Sequence, residues 1–265
     1  MAPQIEFSEH ENGVCWAYFP ALKQQGLTHG ISSRSGGVSS GGLASLNLGI
    51  KVNDLEQNLQ INRQRFCEAV GADVQRVVSS GQVHETTVAI VDHSHAGKRI
   101  AATDALVTNT KGLPLLLFFA DCVPLLIFDP VQQVIGLSHA GWKGTVKSIG
   151  PKTIQCMKQN FGTDPANCLV GIGPSIGPED YEVDEPVMTE IRKYWPNELQ
   201  FSRPTTPGHW QLDLWQWNQQ QFIDSGVVRR NIHVAGISTA RHSDVFFSHR
   251  ASGGTAGRFG VLMTL

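Results

Sequence analysis

Apolar residues along this 265-residue chain gather in short runs with few polar interruptions. The runs at 14–19, 28–32, 77–80, 86–91, 105–107, 115–119, 125–128, 134–138, 168–172, 232–236 and 260–264 predict strands. Several are continuous β-branched or aromatic stretches, the pattern of strands covered on both faces. Helical spacing appears less often. Asp54 stands where an N-cap belongs, Leu55, Leu59, Phe66 and Val70 recur on one stripe, and Gly71 supplies the stop, which predicts a helix over 55–70. Further helices are predicted over 146–160 and 214–224, with a shorter one near 186–194. The segment 203–208, holding two prolines and a glycine, reads as a surface loop. Dominant strands with helices set among them predict an α+β fold: a single domain over 1–265 whose large mixed sheets pack together and are flanked by helices.

Composition narrows the function. A charged fraction of 17% and a formal net charge of -2 give no reason to expect a nucleic-acid or anionic-membrane partner, so a small molecule is expected. The longest apolar stretch, 113–128, is interrupted by Pro114, Asp121 and Pro124, so no membrane span is predicted. The first ten residues have neither the basic start nor the apolar core of a secretory signal. Five cysteines, odd in number and scattered, fit a reducing compartment, and the expected location is cytoplasmic. Oligomeric state, monomer or higher, is not written in the pattern.

The sharpest chemical signal is a spaced trio: His84 in Gly-Gln-Val-His, Cys122 in Ala-Asp-Cys-Val-Pro and His139 in Ser-His-Ala-Gly-Trp. The separations of 38 and 17 residues match no zinc-finger spacing. Taken singly, each residue has a plainer reading, since a free cysteine is usually inert filler and a strand-end histidine usually satisfies a hydrogen bond. All three, however, stand where a strand-like run meets Gly, Pro or Asp. Two imidazoles and a thiolate suit zinc, and three protein ligands leave its fourth position open, the mark of a catalytic site. Asp121, next to Cys122, reads as a turn-capping carboxylate in preference to one that orients a histidine or moves protons. Arg34, in the Gly-containing turn Ser-Arg-Ser-Gly-Gly-Val-Ser, and Lys143, close behind His139, are candidate phosphate-binding residues. Arg250 and Arg258 flank a late Gly-rich turn and are candidates of the same kind. Neither a P-loop nor a dinucleotide fingerprint is present. Two other readings stay open at this level. Cys122 and His139 form a nucleophile–base pair in a metal-free hydrolase, or His29 or His249 closes the metal site into a structural one.

The ordered motifs carry a resemblance. His-Gly-Ile-Ser-Ser-Arg-Ser-Gly-Gly-Val-Ser, Asn47-Leu48-Gly49, Gly-Gln-Val-His, Thr103-Asp104-Ala105, Ala-Asp-Cys-Val-Pro, His-Ala-Gly-Trp-Lys-Gly-Thr, Gly-Ile-Gly-Pro-Ser-Ile-Gly-Pro, Tyr181-Glu182-Val183 and Phe246-Phe247-Ser248-His249-Arg250 follow one another along the chain. From about His29 to the C-terminus the sequence closely resembles the YfiH-type laccase-domain family, also called polyphenol oxidase-like. The resemblance implies an α+β domain and a metal site on His84, Cys122 and His139, assigned zinc with copper as the alternative. It further implies purine nucleoside and phosphate as substrates: phosphorolysis of adenosine, inosine, guanosine and methylthioadenosine, together with adenosine deamination. Copper polyphenol oxidation (laccase-like) and editing of peptidoglycan are the other activities it implies. Three departures, Ser238-Thr239 for Cys-Thr, Pro178-Glu179-Asp180 where many members carry a Cys, and His249-Arg250 for Tyr-Arg, touch no member of the trio.

Overall fold

The structure, a computed structural model, describes residues 4–196 and 200–265; the first residues of the N-terminal segment read above lie outside this range. One seven-stranded sheet runs β1 (Glu6–Glu9), β2 (Cys15–Tyr18), β3 (Thr28–Ser32), β16 (Phe259–Thr264), β8 (Leu115–Phe119), β4 (Val78–Ser80), β6 (Arg99–Ile100). A six-stranded sheet runs β15 (Ile232–Val234), β11 (Leu169–Ile172), β9 (Val123–Asp129), β10 (Val134–Ala140), β7 (Ala105–Thr108), β5 (Val88–Ile90). A small antiparallel sheet joins β12 (Glu182–Asp184), β14 (His209–Leu212) and β13 (Ser202–Pro204). Both large sheets are mixed, with β4 parallel to β6 and β8 in one and β5 parallel to β7 in the other.

Alternation along the central strands shows how the layers stack. In β9, Leu126 and Phe128 join the core between the two large sheets, while Val123, Leu125 and Ile127 join the core beneath the helices. In β8, Leu115, Leu117 and Phe119 face the inter-sheet core, and Leu116 and Phe118 face Phe66. The helices are α1 (Pro20–Gln24), α2 (Glu56–Val70), α3 (Trp142–Val146), α4 (Ile149–Phe161), α5 (Glu185–Arg192) and α6 (Leu214–Asp224). The resulting order is α2, sheet, sheet, then α4 and α6. Every residue of β8, β9 and β10 is buried, as the uninterrupted apolar runs require. Each large apolar side chain so covered stabilises the fold by roughly 1.5–3 kcal/mol. α4 lies tight on β10 because residue 136 is glycine: a Cβ there would sit 2.9 Å from Thr153 Cγ2 and 3.1 Å from Met157 Sδ. No helix among the described residues is long and apolar enough to cross a membrane.

The mixed α+β architecture is the one expected, and three local expectations need correction. Leu55, not Asp54, is the N-cap of α2, and Leu55 is 70% exposed, off the apolar stripe. The Asp54 carboxylate instead accepts bonds from the Leu55 amide, Asn58, Ser39 and Asn47, tying the preceding loop to the helix. The helix expected over 146–160 is α4 and begins only at Ile149, because Ser148, at φ 61°, separates it from the short α3 before it. In the segment read as a loop, Arg203 and Pro204 belong to β13, and only 205–208 turn toward β14.

A candidate metal centre between two cavities

β9 and β10 form an antiparallel pair in which Ala140 opposes Val123 and His139 opposes Pro124. Cys122, one residue before β9, is therefore carried to the same end of the sheet as His139. His139 has the parity of Ile135 and Leu137, so its ring enters the inter-sheet core, with its centroid 5.4 Å from that of Phe119. His84 reaches them from the loop after β4, at a left-handed φ of 61°. The ligand atoms of His84, Cys122 and His139 all lie within 4.8 Å of one another.

Asp104 organises this meeting. Its buried carboxylate accepts three successive backbone N–H groups, from Val83, His84 and Glu85, each at 3.0 Å. Its Oδ1 also lies 2.9 Å from His139 Nδ1. An ionised carboxylate only accepts, so Nδ1 carries a proton, which turns Nε2 toward the Cys122 sulfur and makes it the nitrogen that a metal would take once its own proton is lost. Burial pushes the Asp104 carboxyl up, but the His139 hydrogen bond and charge and the loop amides together hold it below the usual carboxylate range. Gln82 pins the same loop to β8, accepting from the Phe118 amide at 3.0 Å and donating to its carbonyl at 2.7 Å. Space demands glycine at 141, where a Cβ would lie 3.0 Å from Cys122 Sγ and 3.2 Å from His84 Nδ1.

Burial alone would raise the Cys122 thiol and depress His139. Their mutual attraction outweighs it, helped by hydrogen bonds from both histidines to the sulfur and from His139 to Asp104. The thiol is thus held below its ordinary range and the imidazole above its own. A thiolate is the form that binds a metal or attacks an electrophile.

The trio stands in the partition between two cavities. One, of about 510 Å³, is lined by His84, Cys122 and His139 and by Lys51, Arg99 and Arg258. The other, of about 330 Å³, presents His84 and Cys122 beside Trp142, Lys143, Ile176 and Tyr181. A third cavity of about 820 Å³ contains no member of the trio and meets the first at Ile50 and Arg99.

Among the phosphate candidates, Lys143 lines the second cavity, its Nζ 5.5 Å from the Trp142 ring centroid. Arg34 and Arg250 do not face either cavity of the trio, which corrects the expectation for both. Arg34 donates to the carbonyls of Ala44 and Ser243 and lies over Phe247, so its guanidinium is occupied by backbone. The Arg250 guanidinium donates to the carbonyls of Asp180 and Glu182 above the Tyr181 ring. The proposed fourth ligands also lie elsewhere. His29 Nε2 accepts from the Phe19 amide and Nδ1 donates to the Leu27 carbonyl, which leaves no nitrogen free. His249 borders the first cavity without joining the ligand group. Asp121 accepts from Thr239 Oγ1 and the Arg250 amide and touches neither histidine of the trio, as its turn-capping reading requires. Asp104 carries no functional role in the sequence reading, although it stands in the Thr103-Asp104-Ala105 motif and directly before the wholly buried strand β7.

Residues 28–265 match the family described as multi-copper polyphenol oxidoreductase laccase. The chain is 36% identical over 236 residues to the purine nucleoside phosphorylase YlmD of Bacillus subtilis, covering 86% of this chain and 85% of that one. It is 36% identical over 248 residues to a purine nucleoside phosphorylase of Deinococcus radiodurans, covering 93% of each. The structure superposes on YlmD from Geobacillus stearothermophilus with a TM-score of 0.91 at 33% identity, over 97% of this chain and 98% of that one. The hypothetical protein YfiH of Bacillus licheniformis gives the same TM-score at 30% identity, over 98% of both chains.

Proposed function

The chain belongs to the multi-copper polyphenol oxidoreductase laccase family, and on that premise we propose that it is a cytoplasmic purine nucleoside phosphorylase built on a zinc site of His84, Cys122 and His139. The observation that carries this reading is the trio itself, standing in a wall with Lys51, Arg99 and Arg258 on one side and Trp142, Lys143 and Tyr181 on the other. The donor set fits zinc, because the thiol is poised to ionise and the Asp104 bond fixes the His139 tautomer. Among the described residues it is the one group of three or more such ligands close enough to hold a metal. A multicopper cluster needs further ligand groups, so oxidase chemistry is the poorer fit; a single copper ion would use the same three atoms.

In phosphorolysis, a phosphate oxygen forms a bond to ribose C1′ as the C1′–N9 bond breaks and its electron pair passes to the purine, which takes up a proton. A bound zinc ion supplies Lewis-acid activation of an oxygen ligand. Lys143, beside Trp142, puts positive charge where the departing purine takes up the electron pair. Trp142 and Tyr181 offer ring faces to the base. Adenosine deamination at the same centre, and turnover of inosine, guanosine and methylthioadenosine, belong to this proposal.

A second reading has its own support: Cys122, His139 and Asp104 line up as nucleophile, base and orienting carboxylate, the order of a metal-free hydrolase. Metal analysis of the purified protein, with nucleoside turnover measured with and without phosphate, separates the two. The first reading expects about one zinc per chain, phosphate-dependent turnover, and loss of both in Cys122→Ala and His84→Ala. A metal-free wild type that hydrolyses nucleosides without phosphate, and keeps doing so in His84→Ala, supports the hydrolase.

A further inference from the structure

The 510 Å³ cavity beside the trio is lined by three permanent cations, Lys51, Arg99 and Arg258, and by no Asp or Glu. The adjoining 820 Å³ cavity adds Arg63 and Arg65, again without a carboxylate, and shares Arg99. None of these five side chains forms an ion pair among the described residues. Burial lowers the Arg63 guanidinium, attraction to Glu56 and Cys67 opposes that, and repulsion from Arg99 adds a smaller lowering. Glu56 attracts Arg63, and Cys122 and Asp121 attract Arg258, without closing an ion pair; like charges gathered this way cost stability that a ligand of opposite sign offsets.

The cations are not equally free. Arg63 donates to the Leu48 carbonyl and lies over Phe118, Arg65 donates to the Gly36 carbonyl, and Arg258 Nη1 serves the carbonyls of Ala256 and Gly257. Among the described residues Arg99 has a single bond, Nε to the Ser80 carbonyl at 3.4 Å, and Lys51 has one, to the Gln82 carbonyl at 3.3 Å. Both therefore keep donors for a ligand. A planar guanidinium whose Nη1/Nη2 edge is open is suited to the oxygens of a phosphate group.

Resting on the phosphorylase reading for its chemistry, we propose that Arg99, with Lys51 and Arg258 beside it, forms an oxyanion subsite that takes a phosphate group next to the trio. Arg99, standing where the two cavities meet, sets the side from which the phosphate enters, opposite to the face that carries Trp142 and Tyr181. The phosphate can come from inorganic phosphate or from the ester of a nucleoside 5′-monophosphate, the second extending its sugar toward α2.

Direct binding tests the subsite apart from turnover. Calorimetric titration of the wild-type protein with inorganic phosphate, and separately with adenosine 5′-monophosphate, is compared with Arg99→Ala and Arg99→Lys. The subsite expects a tenfold or greater loss of affinity in Arg99→Ala, partial recovery in Arg99→Lys, and a steep fall of wild-type affinity with salt. Loss confined to inorganic phosphate assigns the site to the co-substrate; loss confined to the monophosphate assigns it to a phosphate ester. Wild-type protein that binds neither, or an Arg99→Ala protein that binds both within twofold of wild type, overturns the proposal. In steady-state assays, a raised phosphate KM with an unchanged nucleoside KM is expected of Arg99→Ala. A wild type that binds phosphate through Arg99 yet turns over no nucleoside would sink the phosphorylase reading and leave the subsite standing.

Discussion

Asp104 and His139 are joined twice: the carboxylate meets the ring nitrogen at 2.9 Å, and the His139 amide donates to the Asp104 carbonyl at 2.8 Å. The same carboxylate grips the loop that carries His84. Asp104→Asn replaces one accepting oxygen by a donor, so His139 loses its fixed tautomer and the loop loses a partner. Zinc affinity is expected to fall roughly 10–100-fold, read by competition with a chromophoric chelator, with circular dichroism unchanged. Wild-type affinity in this variant would remove Asp104 from the site.

The cysteines should separate by reactivity once metal is chelated. Burial pushes Cys67 and Cys168 each up to about 12, whereas the two histidines draw Cys122 below the ordinary thiol range. Alkylation at neutral pH, followed by peptide mass spectrometry, is expected to label Cys122 first, and His139→Ala is expected to slow it. Faster labelling of Cys67 would contradict the assigned electrostatics.

His29 supplies a pH dependence of stability. Burial lowers its imidazole from 6.5 to about 4, with the Leu27 carbonyl opposing that shift. Between those values the unfolded chain binds a proton that the folded chain refuses. Its contribution is therefore intact above pH 6.5 and is lost as pH falls toward 4, by about 3 kcal/mol in all. Urea unfolding at several pH values is expected to show this loss in wild type and a flatter profile in His29→Gln. Identical profiles would assign the acid sensitivity elsewhere.

Asn62 ties α2 to the loop that walls the cationic cavity. Its amide donates to Ser39, Ser45 and Asn47, and its oxygen accepts from the Val38 amide. Asn62→Ala takes this partner from the buried Asn47 carbonyl and removes the other three bonds, and a loss of about 1–3 kcal/mol in chemical denaturation is expected.

The trio was legible in the sequence because each member stands at the end of a continuous apolar run, and such ends gather when neighbouring strands pair. Asp104 was not, since what makes it matter arrives from 20 residues upstream at His84 and 35 downstream at His139. Arg34 was misjudged for a similar reason: the carbonyl that occupies its guanidinium belongs to Ser243, 209 residues away. The strands β12, β13 and β14 escaped notice because they are short and largely exposed, with no apolar run to announce them. The continuous runs of β8, β9 and β10, by contrast, gave the buried centre of the fold almost residue for residue.

A reactive centre at the bottom of a single pit makes its ligands queue; one set into a wall with a chamber on either side does not. His84 and Cys122 are bordered from both chambers. Under the proposed phosphorolysis, phosphate and nucleoside each have their own door, so either can bind first and neither product need wait for the other. Initial-rate plots at varied phosphate and nucleoside are accordingly expected to intersect, as a ternary complex with no compulsory order requires, and parallel lines would show that the two chambers do not work independently.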